Sequence, residues 1–133
     1  MANDLLQLVR EAIVSIVDTD PEIFALTGRL SRNIVSFNSL DDAPNGPIIA
    51  YLIVVGTELA SDGDTRDVIA QFTASAEKEA TVQELLGVLE RIVSASAFAA
   101  LASPLDAFPV RRVRRTTDLD VTLRVSRPSP VPA

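Results

Sequence analysis

The chain has no cysteine, no histidine and no tryptophan, one lysine, one methionine and five glycines. Without cysteine there is no disulfide framework and no thiolate nucleophile. Without histidine there is no imidazole acid or base, and most zinc sites lose their usual ligands. The glycines, Gly28, Gly46, Gly56, Gly63 and Gly87, are too scattered to build a phosphate-cradling loop. The longest apolar run, Ile48 to Val55, falls far short of the roughly 20 residues a membrane helix needs. Met1-Ala2-Asn3-Asp4 lacks a basic lead, so no signal peptide is expected. These gaps leave little room for an enzyme, and no cofactor or membrane association is expected.

What the chain does have is apolar bulk and an uneven charge. At 133 residues with 47% hydrophobic content it suits one domain with a core of its own, over residues 1–126. Net charge is −6. Residues 1–106 hold 16 acidic against 6 basic side chains, net −10, while residues 107–133 hold 6 arginines against Asp118 and Asp120, net +4. Such polarity suits contact between copies, the acidic part of one facing the basic part of the next. It argues against a dedicated duplex-DNA binder, which is normally basic overall.

The apolar spacing reads as α+β. Leu5, Leu6, Val9, Ala12, Ile13, Ile16 and Val17 mark a helix over about Asp4 to Val17, with Asn3 as its cap. Asp20-Pro21-Glu22 starts a short helical turn that ends near Gly28. Ile34, Val35 and Phe37 form a short strand, and Asp41 to Pro47 is a loop. Ile48 to Leu59 is a strand with apolar side chains at both parities, so each face needs cover. Arg66 to Ala74, carrying Val68, Ala70, Phe72 and Ala74 on one side, completes a long hairpin with it.

A second main helix begins between Glu77 and Thr81, where Ser75 or a Thr81–Glu84 capping box supplies the start, and ends near Ser94 to Ser96. Phe98 to Leu105 reads as a short helical turn. Ala107 to Thr116 and Leu119 to Ser126 form a closing hairpin around Thr117-Asp118. Residues 127–133, with Pro128, Pro130 and Pro132, form a tail that is extended or disordered. The main elements run α-β-β-β-α-β-β. An antiparallel or mixed sheet with both main helices on one face leaves the other face free for another copy.

This layout resembles the tail-terminator (tail-completion) proteins of tailed bacteriophages and gene-transfer particles, over roughly Asp4 to Arg127. The carriers are the amphipathic opening helix, the strand start Pro47-Ile48-Ile49-Ala50-Tyr51 after a Gly/Pro loop, and the Val68-to-Phe72 strand leading into the Val82-to-Val93 helix. The closing element runs Arg115-Thr116-Thr117-Asp118-Leu119-Asp120-Val121-Thr122-Leu123-Arg124-Val125. The resemblance implies a structural virion protein of the tail or neck, assembled in the host cytoplasm. It implies a homomeric ring, typically of six subunits, that caps the tail tube protein and offers a docking surface to the head-tail connector or stopper protein. It supplies no catalytic residue. Another head-tail joining protein, or a non-viral regulatory α+β domain that binds a small molecule, is the alternative.

Candidate interface residues are Arg111, Arg112, Arg114 and Arg115, with Asp62, Asp64 and Arg66 at the hairpin tip and Tyr51 on the central strand. Four arginines within five positions suit bidentate pairing with carboxylates such as Asp41, Asp42, Asp62 or Asp64 of a neighbour. The same cluster also reads as a solvated edge strand guarded against unwanted pairing, or as a contact to DNA in the ring lumen. Asp62-Gly63-Asp64-Thr65-Arg66-Asp67 lacks the ligand spacing of a calcium loop and reads as a solvated turn rather than a metal site. Asp18, Asp20 and Glu22 read as helix-end charges rather than a catalytic carboxylate pair. Lys78, at an exposed helix start, is placed poorly for Schiff-base chemistry.

Overall fold

The computed structural model describes residues 2–30, 32–42, 46–58, 65–94 and 106–126. Helix α1 spans Ala2–Asp18 and α2 spans Pro21–Thr27. Strand β1 is Ile34–Ser36, followed by a 3-10 turn over Phe37–Asp42. Strands β2, Ile48–Glu58, and β3, Thr65–Ser75, precede helix α3, Glu79–Ser94. Strands β4, Asp106–Arg114, and β5, Asp118–Ser126, close the fold. The turn expected over Phe98 to Leu105 and the proline tail lie outside the described residues.

Local chemistry explains the shortest helix. The Asp20 carboxylate accepts from the N–H groups of Glu22, at 2.9 Å, and Ile23, at 3.4 Å, as an N-cap should. Pro21 fills the first helical position, where its missing N–H costs nothing. Gly28 ends the helix at φ 74°, a left-handed conformation open to glycine, and donates to the Phe24 carbonyl.

Two boundaries differ from the sequence expectation, and the start of α3 falls inside its expected range without one of its two expected caps. Asn3 lies inside α1 and not before it. Phe37 turns into the 3-10 segment and leaves β1 at three residues. No capping box forms at Thr81, because α3 starts at Glu79 and the Lys78 carbonyl already accepts the Val82 N–H at 3.2 Å. The strand before it ends at Ser75, so the helix begins within four residues of leaving the sheet.

The five strands lie in the order β1-β2-β3-β5-β4, a mixed sheet in an α+β fold. β1 runs parallel to β2, and every other pair is antiparallel. Across the β3–β5 pair, Val68 faces Leu123, Ala70 faces Val121 and Phe72 faces Leu119, and all six are 0–1% exposed. Over this row lie Leu85, Leu86, Leu89, Ile92 and Val93 of α3, with Val9, Ile13, Ile16 and Val17 of α1 and Ile23 of α2 in the same core. Each such side chain contributes roughly 1.5–3 kcal/mol through removal from water. All three helices therefore serve one side of the sheet.

Candidate interaction surface

Strand alternation decides which residues face away from the helices. On β3, Asp67, Ile69, Gln71 and Thr73 alternate with the buried row. Their partners on β5 are Arg124, Thr122, Asp120 and Asp118, and on β2 Val54 stands opposite Ile69 and Leu52 opposite Gln71. Ile48 and Ala50, further along the same side of β2, are buried, and the 3-10 turn after β1 contacts β2. Among the described residues Leu52, Val54 and Ile69 stand more open, at 37%, 48% and 40% exposed. An apolar strip of three β-sheet neighbours thus faces outward beside a polar, charged field.

The same alternation separates the arginines. Arg112 and Arg114 stand opposite Val121 and Leu119, on the helix side. Arg112 donates to the Ser94 hydroxyl at the end of α3. Arg114 reaches Glu90 at 3.1 Å and the Gln83 side-chain oxygen at 2.8 Å, also on α3. These two side chains tie the edge strand to the helix above it.

Arg111 stands opposite Thr122, and Arg115, just beyond the strand, pairs with Asp120 at 3.2 Å. With Ile69, Val113, Asp120 and Thr122 they line a shallow cavity of about 190 Å³ on the uncovered face. Arg111 makes no ion pair among the described residues. On the same face Arg124 donates to Asp67 at 3.0 Å, and that hydrogen bond, helped by the carboxylate's charge, holds the guanidinium pKa above its ordinary value.

The remaining expected residues fall elsewhere. Tyr51 stands opposite Phe72 on the helix side, half-buried, and lines a shallow cavity with Gln7, Arg10, Glu11, Val14 and Ser15 of α1. Arg66 shares the row of Val68 near the outer end of β3, opposite Val125. Asp62 and Asp64 lie outside the described residues.

The acidic group at the first turn is structural. The Asp18 carboxylate accepts the Asn33 backbone N–H at 3.0 Å, fastening the end of α1 to the residue before β1. Asp20 caps α2 and, with Glu22, holds Arg91 of α3 at 2.7 and 3.1 Å. The hydrogen bond that Arg91 donates to the Asp20 carboxylate raises the Arg91 pKa, against a smaller opposing effect of burial. Among the described residues no group of three or more His, Cys, Asp or Glu side chains could hold a metal ion. No described helix is long and apolar enough to cross a membrane.

The sequence reading missed Leu52, Val54, Ile69 and Val113 as surface residues. A signal was present: Ile69 is the one β-branched apolar residue in the otherwise polar series Asp67, Gln71, Thr73 and Ser75. A cleft of about 390 Å³ between α2 and α3 is lined by Ala25, Leu26, Gly87 and Val88, with Glu22, Glu84 and Arg91 at its rim. Its one cation is already paired with carboxylates, so it offers few polar groups to orient a ligand. No protein-family model matches the chain, and no curated protein and no solved structure matches it either.

Proposed function

We propose that this chain is a structural virion protein, a tail terminator whose copies close into a ring of six over the end of the tail tube. One observation carries the reading: Leu52, Val54 and Ile69 form an outward apolar strip on a sheet whose helices all lie on the other side. Adjacent exposed apolar side chains rimmed by polar ones mark an interaction surface. Hairpin 48–74 carries the strip and acts as the arm that packs on a neighbouring subunit.

Charge orients that contact. Arg111 and Arg115 lie on the same face as the strip, and residues 1–106 are strongly acidic. A patch that meets a different surface of the next copy makes a heterologous contact, which closes into a ring when the rotation permits. Such a ring would stop tube polymerisation by covering the growing end and present its far side to the head-tail connector.

Particles made without this protein should carry tails of irregular length and no attached heads. Tails of normal length, firmly joined to heads, would remove the reading. The rival class, a regulatory domain acting on a small molecule, would use the α2–α3 cleft, and a ligand-dependent rise in melting temperature that Val88→Arg abolishes would favour it.

A further inference from the structure

The two edges of the sheet are built differently. At one edge, β4 carries Pro109, a break in pairing register between Pro109 and Arg111, and arginines at positions 111, 112 and 114. Proline, irregular pairing and charge each discourage another strand from adding. At the other edge, β1 pairs with Ile49 to Tyr51 and stops. Among the described residues nothing pairs with that side of β2 from Leu52 to Glu58. This stretch, Leu-Ile-Val-Val-Gly-Thr-Glu, has no proline and only one charge, at its end, and its pairing with β3 stays regular as far as Val55, with a register shift only between Val55 and Glu58.

One hydrogen bond fixes which backbone groups line the open edge. The Ile49 N–H donates to the Asn33 carbonyl at 3.0 Å, toward the β1 side. Alternation then turns the N–H and C=O groups of Ile53 and Val55 to that same side. Between them, Leu52 and Val54 place exposed side chains on the uncovered face, and Phe37, where the pairing of β1 ends, is 50% exposed.

We propose that the segment Arg127 to Pro132 of a second copy of this chain adds to this edge as an antiparallel strand. The inference rests on the ring reading, with each copy giving a strand to the next and receiving one. Its basis is the run Arg127-Pro128-Ser129-Pro130-Val131-Pro132, with proline at every second position. In an extended strand successive residues turn their backbone groups to opposite edges. The N–H groups of Arg127, Ser129 and Val131 therefore share one edge, while the other edge consists of prolines and has no donor. Such a strand pairs on one side only, and it seals the sheet against further addition.

Antiparallel pairing sets residues opposite one another on a common face. With Ser129 opposite Val55 and Val131 opposite Ile53, the rings of Pro130 and Pro132 fall beside Val54 and Leu52 and cover them. A strand from the same copy would have to start from the end of β5 and reach across the sheet. β5 ends at Ser126, opposite Thr65 of β3, so β3 and β2 lie between it and the open edge. Crossing three strand spacings, about 14 Å, uses about four residues of extended chain, most of the alternating run.

The absence of cysteine makes the test clean. Full-length Pro130→Cys is mixed with Leu52→Cys or Val54→Cys and oxidised, and the disulfide-linked species are separated by mass. The expected result is a mixed dimer in at least one of the two combinations, lost when Val131→Pro is added to the Pro130→Cys chain. Homodimers of Val54→Cys in place of mixed ones would mean that two β2 edges pair directly, and would overturn the proposal. A disulfide that closes within a monomer carrying both cysteines would overturn it as well. Native mass spectrometry separates the two ideas: a wild-type ring without mixed disulfides overturns the tail strand alone, whereas mixed disulfides between copies that form no ring support the strand and overturn the ring.

Discussion

On the side of the sheet that carries the helices, Val68, Ala70, Phe72 and Ala74 of β3 and Leu119, Val121, Leu123 and Val125 of β5 are at most 2% exposed; on the other side, Leu52, Val54 and Ile69 stand 37–48% open. The residue types are alike and the strands are shared. What differs is the cover, since α1, α2 and α3 all join the first side in one core. The comparison separates two kinds of burial in one sheet. The first is completed within the chain and sets its stability; the second is left for a partner and sets its assembly. Substitutions on the two sides should therefore fail in different assays.

The largest effect belongs to the covered side. Phe72→Ala should lower unfolding free energy by about 3–5 kcal/mol, from lost burial and a cavity beneath α3, read by urea denaturation. A loss under about 1 kcal/mol would mean that the helices do not seal this row. Next comes the helix layer itself. Asp20→Ala removes the α2 cap and one partner of Arg91, and should cost about 1 kcal/mol. Far-ultraviolet circular dichroism at increasing temperature would show the earlier melting.

The arginines sharpen the contrast between neighbours in sequence. Arg114→Ala breaks contacts to Glu90 and Gln83, and should cost about 0.5–1 kcal/mol, as an exposed ion pair with supporting hydrogen bonds does. Arg111→Ala, three residues away on the open face, should leave the denaturation midpoint unchanged and weaken assembly. Equal midpoint shifts for the two variants would erase the distinction between the faces.

Much of this arrangement is legible in the residues. Asp20-Pro21 and Gly28 mark both ends of α2 because capping is local chemistry. The alternating rows of β3 and β5 appear because burial on one face imposes a period of two. The parallel pairing of β1 with β2 is not legible, since it depends on how the connection over residues 37–47 crosses the sheet.

The arginine run was legible in part. Alternation separates Arg111 and Arg115 from Arg112 and Arg114, yet Val113, the apolar residue between them, shares the parity of Arg111 and Arg115 and so points to the wrong pair as the inward one. That choice is made by Val121 and Leu119 across the ladder and by Gln83, Glu90 and Ser94 on a helix some 20–30 residues earlier. The expected patch of four arginines is therefore two pairs with separate surroundings. The open strip was missed because apolar residues at both parities in β2 state that both faces want cover without saying which one the chain itself supplies.

The smallest stability change and the sharpest functional one should coincide at Ile69. Ile69→Arg alters an exposed side chain, so unfolding free energy should move by no more than about 0.5 kcal/mol, while a charge enters the middle of the apolar strip. Native mass spectrometry of the wild-type chain beside this variant addresses the central claim directly. A closed ring of six is expected for the wild type and a folded monomer for Ile69→Arg. A wild type that is a monomer or a compact dimer, or a variant that assembles as the wild type does, would contradict it.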